Sequence, residues 1–158
     1  CGTDSRSAST AQLAMTLLID NHPRSIRWLA ERLKSLLGGP VYLKRPINHT
    51  SFDGDSFSDV GTSTKIENTS WSRDIPSNAK AILLQIVAWD SGSQEDAYFS
   101  VGPSSDYYYA LGVQGLTGDE RTENQGWVPC TDGDLYYRCD ASGASTLDVV
   151  MRVWGYWL

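Results

Sequence analysis

Histidine is the first residue type to examine for catalysis, and the 158-residue chain contains His22 and His49. Neither has a nucleophile or a carboxylate at a spacing typical of a catalytic arrangement. The sequence also contains no nucleophile elbow, phosphate-binding loop or His–Glu zinc motif. We therefore predict no catalytic residues and expect a protein that is not an enzyme.

Loop carboxylates offer the remaining route to catalysis. Asp90, Glu95 and Asp96 flank one predicted loop, and Asp119 and Glu120 lie in another. Two carboxyl groups roughly 5–9 Å apart hydrolyse glycosidic bonds in many glycosidases. A glycan-acting enzyme is therefore a third hypothesis, although solvated turn residues give the same pattern.

A calcium site is the better hypothesis for a bound ion. Asp53, Asp55 and Asp59 stand at alternate or near-alternate positions in a Gly/Ser-rich segment. Hard oxygen ligands at such spacing suit Ca²⁺, although the full EF-hand loop and its closing Glu are not present. We expect no other cofactor, and the alternative is an acidic, turn-rich loop.

The cysteines Cys1, Cys130 and Cys139 do not have the paired spacing of a zinc site. A disulfide between Cys130 and Cys139 is one hypothesis. If Asp132-Gly133 forms a two-residue hairpin turn, the two sulfurs would be separated by roughly 13 Å along the strands, too far to bond. A looser loop would allow the bond, so both alternatives stay open. Cys1 would suit a lipid anchor or a cleaved precursor.

Net charge and hydropathy limit the partners. Residues 1–45 carry seven Lys/Arg and three Asp/Glu, a net +4, and residues 46–158 carry six against sixteen, a net −10. The acidic majority argues against nucleic acid as a partner. No apolar run reaches the roughly 20 residues that span a bilayer, so we predict no membrane span.

The hydrophobic periodicity predicts a mainly β chain with an N-terminal helical arm. Residues 1–39 show helical spacing, broken at Pro23, with Leu29 and Leu33 on the apolar stripe of the second of two short helices. After Pro40 the period changes to two, which predicts an antiparallel, jelly-roll-like β-sandwich over residues 40–158. We expect a long loop at 48–62 and eight strands at 41–47, 63–71, 80–90, 96–102, 106–114, 124–130, 134–140 and 146–157.

Two strands are apolar on both faces, which a sandwich with a wet outer face does not explain. The segment 80–90 is one, and the last strand is the other, with Leu147, Val149, Met151 and Val153 predicted to point inward. We expect another subunit or the helical arm to cover the second faces. The predicted assembly interface comprises Ile82, Leu84, Ile86, Val150, Trp154, Tyr156, Leu29 and Leu33.

The Tyr107-Tyr108-Tyr109 run is the clearest aromatic candidate for binding. Alternation predicts Tyr107 and Tyr109 in the core and Tyr108 outside. Trp127 and Tyr136 share the outward parity, and Trp127 would lie opposite Arg138 as a cation–π pair. Tyr108, Trp127 and Tyr136 could therefore stack on sugar rings, or they could be buried in a subunit interface.

The segment from about Trp71 to Leu158 resembles a domain found at the C-termini of bacteriophage tail-fibre and related tail proteins, and in secreted proteins of marine animals. The residues that carry the resemblance are Ile75 to Leu84, Asp90-Ser91-Gly92 and Val153 to Leu158. The resemblance implies a jelly-roll-like sandwich in an oligomeric structure, often a trimer, without catalytic residues.

These observations predict a non-catalytic structural or interaction module that forms a homo-oligomer. The first alternative is a lectin-like module that binds surface glycans. We expect an extracellular or virion-surface location, which the glycosylation sequons at Asn48 and Asn68 also suit.

Overall fold

The computed structural model of this chain describes residues 33, 38–92, 97–116, 118 and 120–158. The chain divides into two compact units, residues 1–39 and 40–158. The predicted helical arm, Leu29 included, lies outside the described residues except for Leu33, whose backbone is helical. Within the described residues, no helix has the length and apolar character that crossing a membrane requires.

Residues 40–158 form two four-stranded antiparallel sheets, as the mainly β prediction requires. The first sheet has the strand order β1-β8-β3-β6, and the second has the order β2-β7-β4-β5. The strands are β1 Pro40–Phe57, β2 Thr64–Ile66, β3 Ala81–Asp90, β4 Tyr98–Gly102, β5 Leu111–Gln114, β6 Thr122–Pro129, β7 Leu135–Asp140 and β8 Leu147–Trp157.

Both sheets contribute to one hydrophobic core, which gives the unit a sandwich-like character. Leu147, Val149, Met151 and Val153 are fully buried on β8, so their predicted inward orientation is confirmed. Aromatic rings continue the core between the sheets, since Phe52 of β1 contacts Phe99 of β4 at 5.4 Å between ring centroids.

The inner face of β3 overturns part of the predicted assembly interface. Ile82, Leu84 and Ile86 are each 0% exposed in the single chain and belong to its core. They cannot contact another subunit, because the second sheet already covers them. The apolar outer face of β3 is formed instead by the alternate residues, of which Leu83 and Val87 are half-buried.

Strand β1 includes most of the segment that we predicted to be a loop at 48–62. The strand continues to Phe57 because it pairs with β8 through three register shifts, and these bulges insert the polar residues that resemble a loop in sequence. His49 lies at one bulge and forms an isolated bridge with Trp71.

The predictions for the second and fifth strands were too long. Strand β2 spans only Thr64–Ile66, and β5 begins at Leu111. The tyrosine run therefore precedes the strand, and Tyr107 and Tyr109 are 62% and 59% exposed. Their predicted core positions were wrong, because strand alternation does not apply to a loop.

A bulge in β8 reverses the facing of its last residues. Leu84 pairs with Val153 and Leu83 pairs with Gly155, which leaves Trp154 as the extra residue. Tyr156 consequently packs against the core, whereas Trp157 takes the outward position. The predicted outward position of Tyr156 was therefore wrong.

The Asp132-Gly133 turn forms as predicted, but its flanking strands do not remain paired. Both residues have positive φ angles, 57° and 78°, and Thr131 bridges Asp134. Beyond the turn, β6 pairs with β3 in the first sheet, while β7 pairs with β2 and β4 in the second.

Candidate functional site

The outer face of the first sheet carries four of the six tryptophans of the chain. Strand alternation places Trp89 and Trp127 there, and the bulge in β8 puts Trp157 on the same face as Trp154. We call this surface the aromatic face. Its principal side chains are Tyr42, Leu83, Trp89, Trp127, Trp154 and Trp157.

One end of the aromatic face is a cluster of three exposed rings. Trp127 makes edge-to-face contacts with Tyr42 and with Trp157, each at 6.2 Å between ring centroids. The exposed fractions of Tyr42, Trp127 and Trp157 are 68%, 37% and 45%. Exposed apolar side chains that are adjacent on one surface are typical of an interaction site, whereas isolated ones are common on any protein.

Gly155 allows this cluster to form. A Cβ atom at Gly155 would lie 2.6 Å from the carbonyl oxygen of Val41. The glycine therefore permits β1 to approach β8 closely at the row that contains Tyr42. Neither the bulge nor this close approach can be recognised from the local sequence.

Hydrogen bonds hold the side chains at the centre of the aromatic face. Trp154 donates from Nε1 to Oε1 of Gln85 at 2.9 Å, and Gln85 donates from Nε2 to Oε2 of Glu123 at 3.3 Å. The chain of bonds crosses β8, β3 and β6. It satisfies the indole nitrogen of Trp154 while leaving its ring on the surface.

The other end of the aromatic face contains a cavity of about 380 Å³. The guanidinium carbon of Arg121 lies 4.5 Å from the ring centroid of Trp89, a distance that suits a cation–π contact. The cavity is lined by Val87, Trp89, Arg121, Thr122, Glu123, Val150 and Arg152.

The outer face of the second sheet differs because its cations are paired. Lys65 Nζ lies 2.7 Å from Asp134 Oδ2, and this hydrogen bond raises the pKa of Lys65. Arg138 donates to the Tyr108 hydroxyl at 3.0 Å and lies 3.4 Å from Asp140. The hydrogen bond to Tyr108 raises the pKa of Arg138.

The predicted glycan-binding residues do not form one platform. Tyr136 lies on β7 opposite Lys65, and Tyr108 contacts Arg138 of the same strand. Trp127 is on β6 in the first sheet, on the opposite side of the core. The predicted pair of Trp127 and Arg138 was wrong, and Arg138 lies over Tyr108 instead, at 5.6 Å from the ring centroid.

Two of the predicted calcium ligands lie on edge strand β1 of the first sheet, and the third, Asp59, lies beyond its end. Asp53 and Asp55 lie on β1 opposite Val150 and Val149, and the side chain of Asp55 lies outside the described part. Asp59 accepts a hydrogen bond from the backbone N–H of Ala141. The described residues contain no group of three or more metal-capable side chains, and the calcium hypothesis stays a prediction.

Asp90 is a structural carboxylate. It is fully buried at the end of β3 and accepts hydrogen bonds from the N–H groups of Gly92 at 2.7 Å and Ser142 at 3.1 Å. Burial alone would raise the pKa of Asp90, but bonds from Ser142, Gly92 and Thr146 hold it below its usual value. Among the other loop carboxylates, Glu95, Asp96 and Asp119 lie outside the described residues.

Cys130 and Cys139 are free thiols, so the disulfide hypothesis was wrong for this fold. Cys130 Sγ donates to the carbonyl of Ala79 at 3.2 Å, and Cys139 Sγ donates to the carbonyl of Ser58 at 3.3 Å. Burial raises the pKa of each thiol to about 11. Both cysteines are therefore protonated thiols at neutral pH rather than reactive thiolates.

His49 is buried between aromatic rings rather than solvated in a loop. Its ring centroid lies 4.7 Å from that of Phe52 and 4.8 Å from that of Trp71. Nδ1 accepts hydrogen bonds from the N–H groups of Ser51 and Phe52, so the neutral ring carries its proton on Nε2. Burial lowers the pKa of His49 to about 4.

Sequence reasoning missed Tyr42, Trp157 and the arginines of the cavity. Alternation along β1 could have identified Tyr42, whereas the others depend on a bulge and on strand pairing across the sheet.

Comparison with protein-family models found no match, and comparison with the curated proteins also found none.

Proposed function

We propose that this chain is a non-catalytic interaction module that forms a homo-oligomer through the aromatic face. The observation that carries the proposal is the exposure of Tyr42, Trp127 and Trp157 side by side on an ordered sheet. Tyr and Trp are enriched at the buried centres of protein interfaces and account for much of their binding energy. Burial of these rings against a second copy would give a favourable hydrophobic contribution.

The strand pairing supports the finer proposal of a jelly-roll fold. The pairs β1·β8, β2·β7, β3·β6 and β4·β5 are nested, as in a long hairpin that is folded over a core. Eight antiparallel strands in two such sheets are typical of jelly rolls, which occur in capsid and lectin domains. A trimer on an extracellular or virion surface is the setting that the tail-fibre resemblance adds to this proposal.

The central residues of the aromatic face also support assembly. Leu83 lies directly opposite Trp127, and Val87 lies opposite Val150 of β8. Leu83 is half-buried and extends the exposed ring cluster towards the centre of the sheet. The row Gln125, Gln85 and Arg152 separates this apolar patch from the cavity, so a partner that covers the cluster would bury Leu83 with the three rings, as in the centre of a stable interface.

Sedimentation velocity at micromolar concentration tests the proposal. We expect the wild-type chain to sediment as an oligomer and the Trp127→Ala/Trp157→Ala variant as a monomer, because truncation of central aromatic residues costs about 2 kcal/mol or more each. The matched control is Tyr98→Ala/Tyr107→Ala, which removes two exposed rings elsewhere. A monomeric wild type, or equal weakening by the control, would overturn the proposal.

Carbohydrate binding is the second candidate function, and the same ring cluster favours it. Trp127, with Tyr42 and Trp157 beside it, is 37% exposed, so part of its ring is open to stack on a sugar. The platform would then comprise Tyr42, Trp127 and Trp157 rather than the predicted set with Tyr108 and Tyr136. A glycan array tests this candidate, with a signal that Trp127→Ala abolishes and Tyr108→Phe leaves unchanged.

A further inference from the structure

The cavity at the end of β3 has a composition that differs from the rest of the aromatic face. We call it the arginine pocket, and it is formed by Val87, Trp89, Arg121, Thr122, Glu123, Val150 and Arg152. Its volume of about 380 Å³ lies within the usual range of small-molecule sites. The ring cluster lies near the start of β3 and the pocket near its end, so the two are separate features.

The two arginines of the pocket have no carboxylate partner among the described residues, where the ion pairs are Lys65–Asp134 and Arg138–Asp140. Arg121 is held over Trp89, and Arg152 extends from β8 into the same cavity. Residues 46–158 carry a net charge of −10, yet the described lining of this cavity holds two arginines and one carboxylate, Glu123, which is hydrogen-bonded to Gln85. The described lining therefore has a net positive charge, which favours an anionic ligand.

The remaining lining residues restrict the class of anion. Val87 and Val150 are paired neighbours on β3 and β8 and form an apolar wall. Glu123 is held by Gln85 at 3.3 Å and can accept a hydrogen bond from a hydroxyl group. A carboxylate in the site disfavours a compact dianion such as phosphate, but it suits a ligand that bears both a carboxylate and hydroxyl groups.

We propose that the arginine pocket binds a carboxylated monosaccharide, such as a hexuronic acid. Arg121 and Arg152 bind its carboxylate, because a guanidinium group donates two parallel hydrogen bonds to that group. Glu123 accepts from a ring hydroxyl, and the apolar ring face packs on Val87 and Val150. This site does not require assembly through the ring cluster, so the inference stands independently of the proposed function.

Titration calorimetry with glucuronate, glucose and inorganic phosphate tests the site on the wild-type chain. We expect glucuronate to bind with a millimolar or lower dissociation constant, at least about tenfold tighter than glucose or phosphate, since a charge-assisted hydrogen bond contributes more than a neutral one. No detectable binding of glucuronate, or phosphate binding as tightly as glucuronate, would overturn the inference.

Variants assign the binding to the pocket. Arg152→Gln should weaken glucuronate binding at least about tenfold, while Arg73→Gln, which removes an exposed arginine elsewhere, should leave it unchanged. Equal effects of the two variants would contradict the assignment. Both side chains are at the surface, and circular dichroism checks that the fold is intact.

A third variant separates the site from assembly. The Trp127→Ala/Trp157→Ala chain should bind glucuronate within about twofold of wild type, whatever its oligomeric state. Loss of glucuronate binding in this variant would refute a separate pocket, whereas its oligomeric state reports on the proposed function alone.

Discussion

The outer faces of the two sheets follow the same strand alternation but present different surfaces. The first sheet exposes Tyr42, Trp127 and Trp157 and leaves its cavity arginines without a carboxylate partner in the described chain. The second sheet pairs Lys65 with Asp134 and Arg138 with Asp140. A face whose charges are already paired resembles an ordinary solvated surface. The first face instead presents exposed rings and arginines that can contact a partner or a ligand.

The largest expected effect comes from placing a charge at the centre of the aromatic face. Leu83→Glu introduces a carboxylate directly opposite Trp127. Burial of an unpaired charge in an interface costs several kcal/mol, so the dissociation constant of the oligomer should rise by more than about 100-fold. A dilution series in analytical ultracentrifugation measures this change.

The matched substitution on the second sheet is Tyr136→Glu. Tyr136 is also a half-buried, outward side chain, and it lies opposite Lys65. Its replacement should leave the oligomer unchanged, because that face does not take part. Equal dissociation by both variants would remove the distinction between the two faces.

An effect of intermediate size is expected from pH, because both outer faces depend on a core in which His49 is buried. The pKa of His49 is about 4 in the fold, below the ordinary histidine pKa of 6.5, so the unfolded chain binds more protons between these values. The contribution of neutral His49 to the free energy of unfolding is therefore complete above pH 6.5 and is lost as the pH falls towards 4. Between pH 7 and pH 5 the free energy of unfolding should drop by about 2 kcal/mol.

Urea denaturation of wild type and His49→Asn at the two pH values measures this contribution. Asn can accept the backbone N–H bonds that His49 Nδ1 accepts but has no charge to gain. The variant should therefore lose less stability than wild type between pH 7 and pH 5. An identical loss in both proteins would show that His49 is not the group responsible.

The smallest effect is expected from the paired charges of the second sheet. Lys65→Gln breaks the contact with Asp134 at an exposed position, and exposed ion pairs contribute little to stability. We expect no change in oligomeric state and a thermal midpoint close to that of wild type. A shift as large as that of Leu83→Glu in the ultracentrifuge would mean that the second face also mediates assembly.

The strands that were predicted well are those whose pattern is local. Strands β3 and β8 match the predicted segments 80–90 and 146–157 within one residue at each end. Their alternation is strong because every second residue is fully buried. The segment 48–57 was predicted poorly because bulges interrupt its alternation with polar residues. Backbone groups in this segment bond to Ser70 and Ser72 rather than to β8.

The candidate site was predicted only in part. Trp127 and Trp154 were expected on a binding or assembly surface and lie on the aromatic face. Ile82, Leu84 and Ile86 were assigned to the wrong face, because a strand that is apolar on both sides does not reveal which side meets the second sheet. The arginine pocket brings together β3, β6 and β8 and has no signal in any one segment.

The pattern of apolar residues is enough to establish that residues 40–158 form β-strands with a buried face, since period-two hydrophobicity is a property of neighbouring residues. Tertiary structure decided which strands are partners, which apolar face is covered, and that Trp157 rather than Tyr156 points outward. One bulged residue reverses the facing of every later side chain, and the position of the bulge depends on pairing with a strand that is distant in sequence.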